Sequence, residues 1–227
     1  MTPIRELFAT LGGEFASSHE EITQKLFKIR VVLFDWDGVF NSGIKIGDQG
    51  SPFSEVDAMG TNMLRYGFKR LNKAVPISAI MTGANNSTAQ KFGQREHFNE
   101  VIIKAINKRI AFDEFCARYN LKPEEVLFFF DDVLDFYVAS KCGVRIMIKR
   151  KANILLNTYV KQNNLCDYFT ANSGDRFGLR EGCELVLGLL GVYDDVIKNR
   201  SDFSTDYQNY LDEVRSIDTT IVDRASS

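Results

Sequence analysis

From residue 30 onward, short runs of β-branched and aromatic residues alternate with segments of helical pattern. The runs are apolar almost throughout rather than at every second position, which is typical of parallel strands covered on both faces. They span residues 30–36, 75–81, 126–130 and 144–148. The helical patterns between them span residues 60–71, 87–92, 107–119 and 133–141. This alternation predicts an α/β fold with a parallel sheet, right-handed crossovers and helices on both faces.

The first part of the chain carries two further signals. Residues 1–28 predict an N-terminal helical arm, in which Ser18 and Glu21 have the spacing of a capping box. A segment at about 43–56 has two short strand-like arms around a Gly/Asp turn. We interpret this segment as a β-hairpin that leaves the carboxyl end of the first strand, inside a domain that spans residues 29–192.

The last part of the chain ends in an acidic extension. After the fourth strand run, helical patterns at 152–162 and 179–190 flank a short extended piece at 168–170. Beyond Ser201 the chain has six acidic and two basic residues. Such a composition buries little apolar surface, so we expect the C-terminal extension 193–227 to be partly disordered.

The composition argues against several kinds of partner. The chain has 28 basic and 30 acidic residues, a net charge of −2 and no stripe of Lys or Arg, so we expect no nucleic-acid partner. The longest apolar stretches stop far short of a membrane span, and acidic residues interrupt the N-terminus, so we expect no membrane insertion and no signal peptide. The four cysteines are scattered without nearby histidines, which favours reduced, packed cysteines over a zinc site. These features predict a cytoplasmic protein.

Polar side chains collect where the predicted strands end. In an open parallel sheet, ligands bind at the carboxyl ends of the strands, so we expect these side chains to share one rim. They are Asp35 and Asp37 after the first run, Thr82 and Gly83 after the second, Lys108 at the start of a helical segment, and Asp131, Asp132 and Asp135 after the run at 126–130.

These residue types suit phosphoryl transfer. A carboxylate can attack phosphorus and form an acyl phosphate, while a second carboxyl group two residues further on can protonate the leaving oxygen and later activate water. Several carboxylates repel one another unless a hard cation such as Mg²⁺ lies among them. A hydroxyl, loop amides and a lysine can then stabilise the charge on the phosphoryl oxygens.

Each of these features also has a purely structural interpretation. A lone D-x-D is commonly a solvated turn, Lys108 could be an exposed helix charge, and Asp132 could simply cap the following helix. The order of the features along the chain, each at a predicted strand end, favours the functional interpretation.

The same order resembles the four motifs of the haloacid-dehalogenase (HAD) superfamily. The motif residues are Asp35-Trp-Asp37-Gly38-Val39 for D-x-D-G-[TV], Thr82-Gly83 for the second motif, Lys108 for the third, and Asp131-Asp132-Val-Leu-Asp135 for D-D-x-x-D. All four occur in the superfamily's order. The resemblance implies an HAD-like Rossmannoid parallel sheet and a Mg²⁺-dependent phosphatase.

A closer resemblance is to the 3-deoxy-D-manno-octulosonate 8-phosphate phosphatases and the nonulosonate 9-phosphate phosphatases. Residues 56–60 resemble their R-D-G-x-G segment, and residues 174–181 resemble their G-G-x-G-x-x-R-E signature. In these enzymes a small β-hairpin after the first motif takes the place of a cap domain. The resemblance covers about residues 29–190 and implies a sugar-acid phosphate substrate and a homotetramer in which the hairpins pack together.

The resemblance also implies a role for each matched residue. Asp35 would be the nucleophile and a metal ligand, and Asp37 would be the acid/base, with its backbone carbonyl facing the metal. Asp131 would complete the predicted metal set of Asp35, Asp37 and Asp131, and Asp132 would orient a metal-bound water or the lysine. The remaining predicted site residues are Gly38, Thr82, Gly83, Lys108 and Arg180 for the phosphate and substrate, with Lys108 also catalytic and Asp135 supporting.

Three residues depart from the family pattern and leave the substrate open. Phe130 stands where the family has Gly before its Asp pair, which predicts a changed site floor or a rotated loop. Ala84 and Val56 each stand where the family has Arg. Two alternatives therefore stay open: hydrolysis of a less acidic sugar phosphate, and a catalytically weak HAD-like subunit that serves binding or assembly.

Overall fold

A central β-sheet organises the structure, a computed structural model that describes residues 3–47 and 50–224. Within these ranges the sheet has eight strands in the order β1-β7-β6-β5-β2-β3-β4-β8. All neighbours are parallel except β1 and β7. The strands are β1 Glu14–Phe15, β2 Val31–Phe34, β3 Ile77–Met81, β4 Glu100–Ile103, β5 Val126–Phe130, β6 Val144–Met147, β7 Tyr168–Phe169 and β8 Thr220–Asp223.

Helices cover both faces of this sheet. They are α1 Ile4–Leu11, α2 His19–Leu26, α3 Glu55–Asn72, α4 Ser87–Arg95, α5 Lys108–Arg118, α6 Phe136–Ala139, α7 Ile154–Gln162, α8 Gly178–Leu189, α9 Tyr193–Ser201 and α10 Thr205–Arg215. Short 3₁₀ helices lie at Pro123–Glu125, Val133–Asp135 and Gly174–Arg176. No helix within the described ranges is long and apolar enough to cross a membrane.

Successive strand residues face two apolar layers. Val32 and Phe34 of β2 pack in the layer that contains α2, α3 and α8, whereas Val31 and Leu33 pack in the layer that contains α5 and α6. Both faces of the strand are therefore buried, which explains its continuous apolarity. The predicted α/β fold is confirmed.

Strand β4 is one of the elements that the sequence analysis missed. It has only four residues, and its first residue is Glu100. The Glu100 side chain is buried in an ion pair with Arg118, whose Nε and Nη2 donate to it over 2.8 and 2.9 Å. This ion pair neutralises Glu100 and so allows a charged residue at a buried position of the sheet.

The N-terminal segment is part of the domain rather than a separate arm. Strand β1 joins the sheet edge antiparallel to β7, and both α1 and α2 pack against α8. Helix α2 begins as predicted, because the Ser18 hydroxyl accepts a hydrogen bond from the amide of Glu21.

The predicted β-hairpin at 43–56 is a loop in the described residues 43–47 and 50–54, with α3 beginning at Glu55. One backbone hydrogen bond, from Ile46 to Gly50, joins its two sides, and the predicted turn at Asp48 and Gln49 lies outside the described residues. The loop folds over the carboxyl edge of the sheet, where Trp36 and Thr88 both donate to the carbonyl of Ser51. These contacts replace the cross-strand ladder that a hairpin needs.

The prediction of a partly disordered C-terminal extension is wrong for residues 193–224. Helices α9 and α10 cover α3, and β8 extends the sheet beside β4. Buried tyrosines attach the extension: Tyr207 donates to the Asn62 side chain over 2.9 Å, and Tyr210 donates to the Asn62 carbonyl over 3.1 Å. The acidic residues lie around these anchors, so net charge alone gave the wrong prediction.

Candidate active site

A cavity of about 470 Å³ opens at the carboxyl edge of the sheet, where the predicted site residues meet. Adjacent parallel strands β2 and β5 place Asp35 near Asp131, since Phe34, directly before Asp35, pairs in register with Phe129, two residues before Asp131. Strand β4 leads into α5, which begins at Lys108. The cavity is lined by Asp35, Asp37, Ser42, Gly43, Lys45, Gly83, Ala84, Lys108, Asp131, Asp132, Val133, Leu134, Asp135 and Arg150.

A buried lysine bridges two carboxylates at the base of this cavity. The Lys108 Nζ atom lies 2.7 Å from Asp35 Oδ1 and 2.6 Å from Asp135 Oδ1. Burial alone would lower the pKa of the Lys108 ammonium, but the charges of Asp135 and Asp35 together raise it above the ordinary value. Lys108 is therefore a permanent cation beside Asp35.

Asp35, Asp131 and Asp135 form a buried acidic cluster. Each offers a carboxylate oxygen, and these oxygens lie within 4.8 Å of one another. Burial first, and the neighbouring Asp35 charge second, raise the pKa values of Asp131 and Asp135. Lys108 alone therefore leaves the cluster short of positive charge.

The clearest sign of this shortage is Asp131, which is 1% exposed. Neither of its carboxylate oxygens has a hydrogen-bond partner among the described residues, although Arg150 Nη2 lies 2.5 Å from Oδ2. Buried polar groups are normally satisfied, so a buried carboxylate without hydrogen-bond donors is suited to bind a cation. Three clustered carboxylates are the hard oxygen donors that Mg²⁺ prefers, and the site fits such an ion.

The side chain of Asp37 lies outside this cluster, and the metal role predicted for Asp37 rests on its backbone carbonyl. Its carboxylate accepts hydrogen bonds from Lys45 and Ser51 over 2.5 Å and from Asn86 over 2.9 Å. Burial alone would raise the pKa of Asp37, but these three donors hold it below the ordinary value. The acidic cluster instead contains Asp135, which the sequence analysis assigned only a supporting role.

The small residues of the site lie close to the acidic cluster. Gly38 has a φ of 88°, and an added Cβ would lie 1.9 Å from Arg150 Nη2 and 2.1 Å from Asp131 Oδ2. Only glycine fits there without moving the acidic side chain. Gly83 lines the cavity, while Thr82 is fully buried and its hydroxyl accepts a 2.8 Å hydrogen bond from Asn86.

Two predicted site residues, Asp132 and Arg180, bond to neighbouring protein groups. The Asp132 carboxylate accepts from the amide of Val133 at the start of a 3₁₀ helix, and it is Asp135 that contacts Lys108. The Arg180 Nε atom donates to Glu184 over 2.7 Å, and Arg180 does not line the acidic cavity.

The three departures from the family pattern have different structural effects. Phe130 is fully buried and stacks on Phe128 beneath the sheet, so it does not change the cavity floor. Ala84 does line the cavity, whereas Val56 lies on the first turn of α3 outside it. Only Ala84 therefore alters the wall of the acidic cavity.

Sequence reasoning missed the cations that the loops supply. Lys45 contacts Asp37, and Arg150 lies beside Asp131 and 3.9 Å from Asp132. Both residues lie in segments without a motif, so only the basic run Lys149-Arg150-Lys151 directly after a strand could have pointed to Arg150.

Comparison with known proteins gives the family context of this site. No protein-family model matches the sequence. The 3-deoxy-D-manno-octulosonate 8-phosphate phosphatase KdsC of Escherichia coli K12 is 25% identical over 189 residues, which cover 82% of this chain and 94% of that protein. The chain resembles HAD-superfamily phosphatases. The motifs predicted this resemblance, and they predicted an enzyme of the HAD phosphatase type. The relatives confirm both predictions.

Solved structures show the same fold. An HAD superfamily (subfamily IIIA) hydrolase from Legionella pneumophila superposes with a TM-score of 0.66 at 22% identity, covering 81% of this chain and 95% of that one. The 3-deoxy-D-manno-octulosonate 8-phosphate phosphatase of Moraxella catarrhalis, solved with magnesium, phosphate and KDO, gives 0.65 at 21% identity, with 80% and 98% covered. The predicted HAD-like fold is confirmed.

Proposed function

We propose that the protein is a Mg²⁺-dependent phosphomonoester hydrolase that forms an aspartyl phosphate on Asp35. The observation that carries the proposal is the position of Asp35, next to the Lys108 ammonium and beside an Asp131 carboxylate with free lone pairs. A nucleophilic carboxylate, a fixed cation and a set of oxygen ligands for a metal ion are the groups that phosphoryl transfer requires.

Asp35, Asp131 and Asp135 would hold the Mg²⁺ ion. Bound there, the ion would supply positive charge to the phosphoryl oxygens and help to orient them. The Moraxella catarrhalis phosphatase was solved with magnesium and phosphate, which supports this choice of cation.

The chain's own residues perform the covalent steps. An Asp35 oxygen attacks phosphorus, the bond between phosphorus and the sugar oxygen breaks, and protonated Asp37 gives its proton to that oxygen. In the second step Asp37 accepts a proton from water, whose oxygen attacks phosphorus and releases inorganic phosphate and the Asp35 carboxylate. The donors from Lys45, Ser51 and Asn86 favour the ionised form of Asp37, which the second step requires, and oppose the protonated form that the first step uses.

Lys108 and Thr82 are the proposed ligands of the transferred phosphoryl group, with the backbone at Gly38 and Gly83. Lys108 points into the cavity with a fixed positive charge, which would stabilise the charge that develops on the phosphoryl oxygens. Thr82 is buried behind the cavity wall, and Asn86 holds its hydroxyl in place.

A sugar-acid phosphate is the proposed substrate, either 3-deoxy-D-manno-octulosonate 8-phosphate or a nonulosonate 9-phosphate. The relative named for the first of these compounds matches this chain over 94% of its own length. A less acidic sugar phosphate is the second candidate, because the uncharged Ala84 lines the cavity.

A kinetic panel tests the function and separates the two substrate classes. Phosphate release would be measured with an octulosonate phosphate, a nonulosonate phosphate, hexose phosphates and a generic aryl phosphate, with Mg²⁺ and with EDTA. We expect Mg²⁺-dependent turnover that Asp35→Asn abolishes, whereas Asp132→Asn, at the half-exposed rim of the same cavity, should keep part of it. Equal turnover by wild type and Asp35→Asn would refute the mechanism, and no turnover of any phosphate would favour a binding or assembly subunit.

Oligomeric state and location stay predictions. The homotetramer implied by the family resemblance would cover Ile44 and Ile46, whose side chains are largely exposed on the loop beside the cavity. Light scattering coupled to gel filtration would measure the mass of the particle. All four cysteines are free and buried, as expected, which is compatible with the predicted cytoplasmic location.

A further inference from the structure

A second cavity, of about 670 Å³, lies directly beside the acidic one. The two cavities share Ser42 and Arg150 as lining residues, so a ligand bound in the first can extend into the second. The walls of the second cavity come from the loop after β6, the loop at 171–176 and Asn41.

The second cavity is basic, although the chain as a whole is slightly acidic. Its lining includes Lys149, Arg150, Lys151 and Arg176, with Asp175 as the one acidic lining residue among the described residues. The Asp175 carboxylate accepts a 2.6 Å hydrogen bond from Ser173. The continuous cleft therefore has an acidic half and a basic half.

Two of these cations are free to bind a ligand. Lys149 is paired with Glu14, and Arg150 is paired with Asp131. The side chains of Lys151 and Arg176 have no hydrogen bond or ion pair with any described residue, and both residues are exposed. A free lysine and a free arginine at one opening attract anionic oxygen groups.

The loops that carry these cations are held firmly in place. The Glu181 carboxylate accepts hydrogen bonds from the amides of Ala171 and Asn172 over 2.8 and 2.9 Å. At Gly174 an added Cβ would lie 2.3 Å from the carbonyl oxygens of Gly38 and Asn41, so this loop rests directly on the catalytic loop. Lys149 is fixed by its amide, which donates to the Thr170 hydroxyl over 3.1 Å.

We propose that the second cavity is a subsite for an anionic group of the substrate other than the phosphate that is hydrolysed, with Lys151 and Arg176 as its specificity-determining residues. This inference rests on the proposed phosphatase function, because the acidic cavity must hold the reacting phosphate. The group bound there has anionic oxygens, either the carboxylate of a sugar acid or a second phosphate. A neutral sugar phosphate lacks a group that would use this subsite.

The test compares three substrates across matched variants. The substrates are a sugar-acid phosphate, a sugar bisphosphate and a neutral hexose phosphate, and the variants are Lys151→Ala, Arg176→Ala and the double variant. We expect each single variant to raise KM for the two substrates with a second anionic group by roughly two- to fivefold, which corresponds to about 0.4–1 kcal/mol, within the range of an exposed ion pair. The double variant should raise this KM by roughly tenfold, while kcat and the KM for the hexose phosphate change little. Lys151→Arg keeps the positive charge and should therefore have the KM of wild type.

Lys198→Ala is the matched control, because Lys198 is also exposed but lies on α9 outside both cavities. A selective rise in KM for the sugar acid, for the bisphosphate or for both would support the subsite and identify its anionic group. Equal KM changes for all three substrates, or no change in any variant, would overturn the subsite while leaving the phosphatase intact.

A binding measurement keeps the subsite testable even if no substrate is turned over. Isothermal titration of the same three compounds into Asp35→Asn, with and without the Lys151 and Arg176 substitutions, reports affinity without chemistry. We expect the two compounds with a second anionic group to bind more tightly than the hexose phosphate. The double substitution should remove this difference in affinity. Affinities that do not depend on the second anionic group would overturn the proposal.

Discussion

The Lys108 ammonium lies 2.7 Å from the carboxylate of Asp35, and both side chains are largely buried, at 2% and 9% exposure. A second contact, from Lys108 to Asp135, fixes the lysine from its other side. The cation is thus held against the proposed nucleophile before any substrate arrives. Such a prearranged charge can stabilise a transition state without a further reorganisation cost.

Replacement of this lysine tests its role directly. Lys108→Ala removes the fixed charge beside the phosphoryl position, and we expect kcat/KM to fall by about 100-fold or more. Lys104→Ala is the control, since Lys104 pairs with Asp223 at the surface four residues earlier. Full activity of Lys108→Ala would show that the third-motif assignment is wrong.

Gly38 and Gly83 form a matched pair of glycines at the same cavity. Gly38→Ala places a Cβ 1.9 Å from Arg150 Nη2 and 2.1 Å from Asp131 Oδ2 at a φ of 88°, so it must displace the proposed metal ligand. At Gly83 an added Cβ would meet only the Ala105 carbonyl, at 3.9 Å. We expect Gly38→Ala to weaken Mg²⁺ binding at least tenfold, by about 1.4 kcal/mol or more, while Gly83→Ala keeps near wild-type affinity. Titration calorimetry measures both, and equal affinities would contradict this account of the site.

Asp57 should make stability depend on pH. Burial raises the pKa of Asp57 to about 7, partly offset by the amide of Arg180, which donates to it. Because the folded pKa lies above the ordinary 3.8, the folded state binds this proton more tightly. Its contribution to stability is therefore complete below pH 3.8 and is lost as pH rises through about 7.

The variant Asp57→Asn cannot lose this proton and keeps an oxygen that can accept from Arg180. We expect its melting temperature to fall less than that of wild type between pH 5 and pH 8. Thermal melts of both proteins across this range measure the difference. If the melting temperatures of the two proteins changed in parallel with pH, Asp57 would be ionised in the folded protein over the whole range from pH 5 to pH 8.

The C-terminal extension should contribute to stability through its buried tyrosines. Tyr210 is fully buried and its ring lies 5.1 Å from that of Tyr66, so Tyr210→Ala should cost about 3–5 kcal/mol. Phe203 is half exposed in the same extension, and Phe203→Ala should cost far less. Chemical denaturation measures both, and similar small losses would indicate that the extension does not pack on α3.

The fold was predictable where burial is symmetrical and the strands are long enough. The predicted run at 126–130 has the same bounds as β5, because every residue from Val126 to Phe130 is buried. Strand β4 was missed because its polar first residue is neutralised by a partner 18 residues away in the chain. The extension was misjudged for a related reason: a few tyrosines decide its packing, whereas the composition is dominated by surface charge.

The site was predictable where backbone geometry places it. Asp35 and Asp131 follow neighbouring parallel strands, so their meeting follows from the sheet. The contacts of Lys45 and Arg150 depend on the paths of two loops, which no periodicity in the sequence determines. The place of the Asp135 side chain in the acidic cluster has the same origin, since side-chain direction after a strand end depends on local turns.

The most direct test of the central claim is chemical trapping of the acyl phosphate on Asp35. The protein would be mixed with Mg²⁺ and an excess of substrate, quenched in acid and reduced with borohydride, which converts an aspartyl phosphate to homoserine. Mass spectrometry of the peptide that contains residue 35 should show homoserine at that position in wild type and none without substrate. Steady phosphate release with unmodified Asp35 under the same conditions would contradict the proposed mechanism.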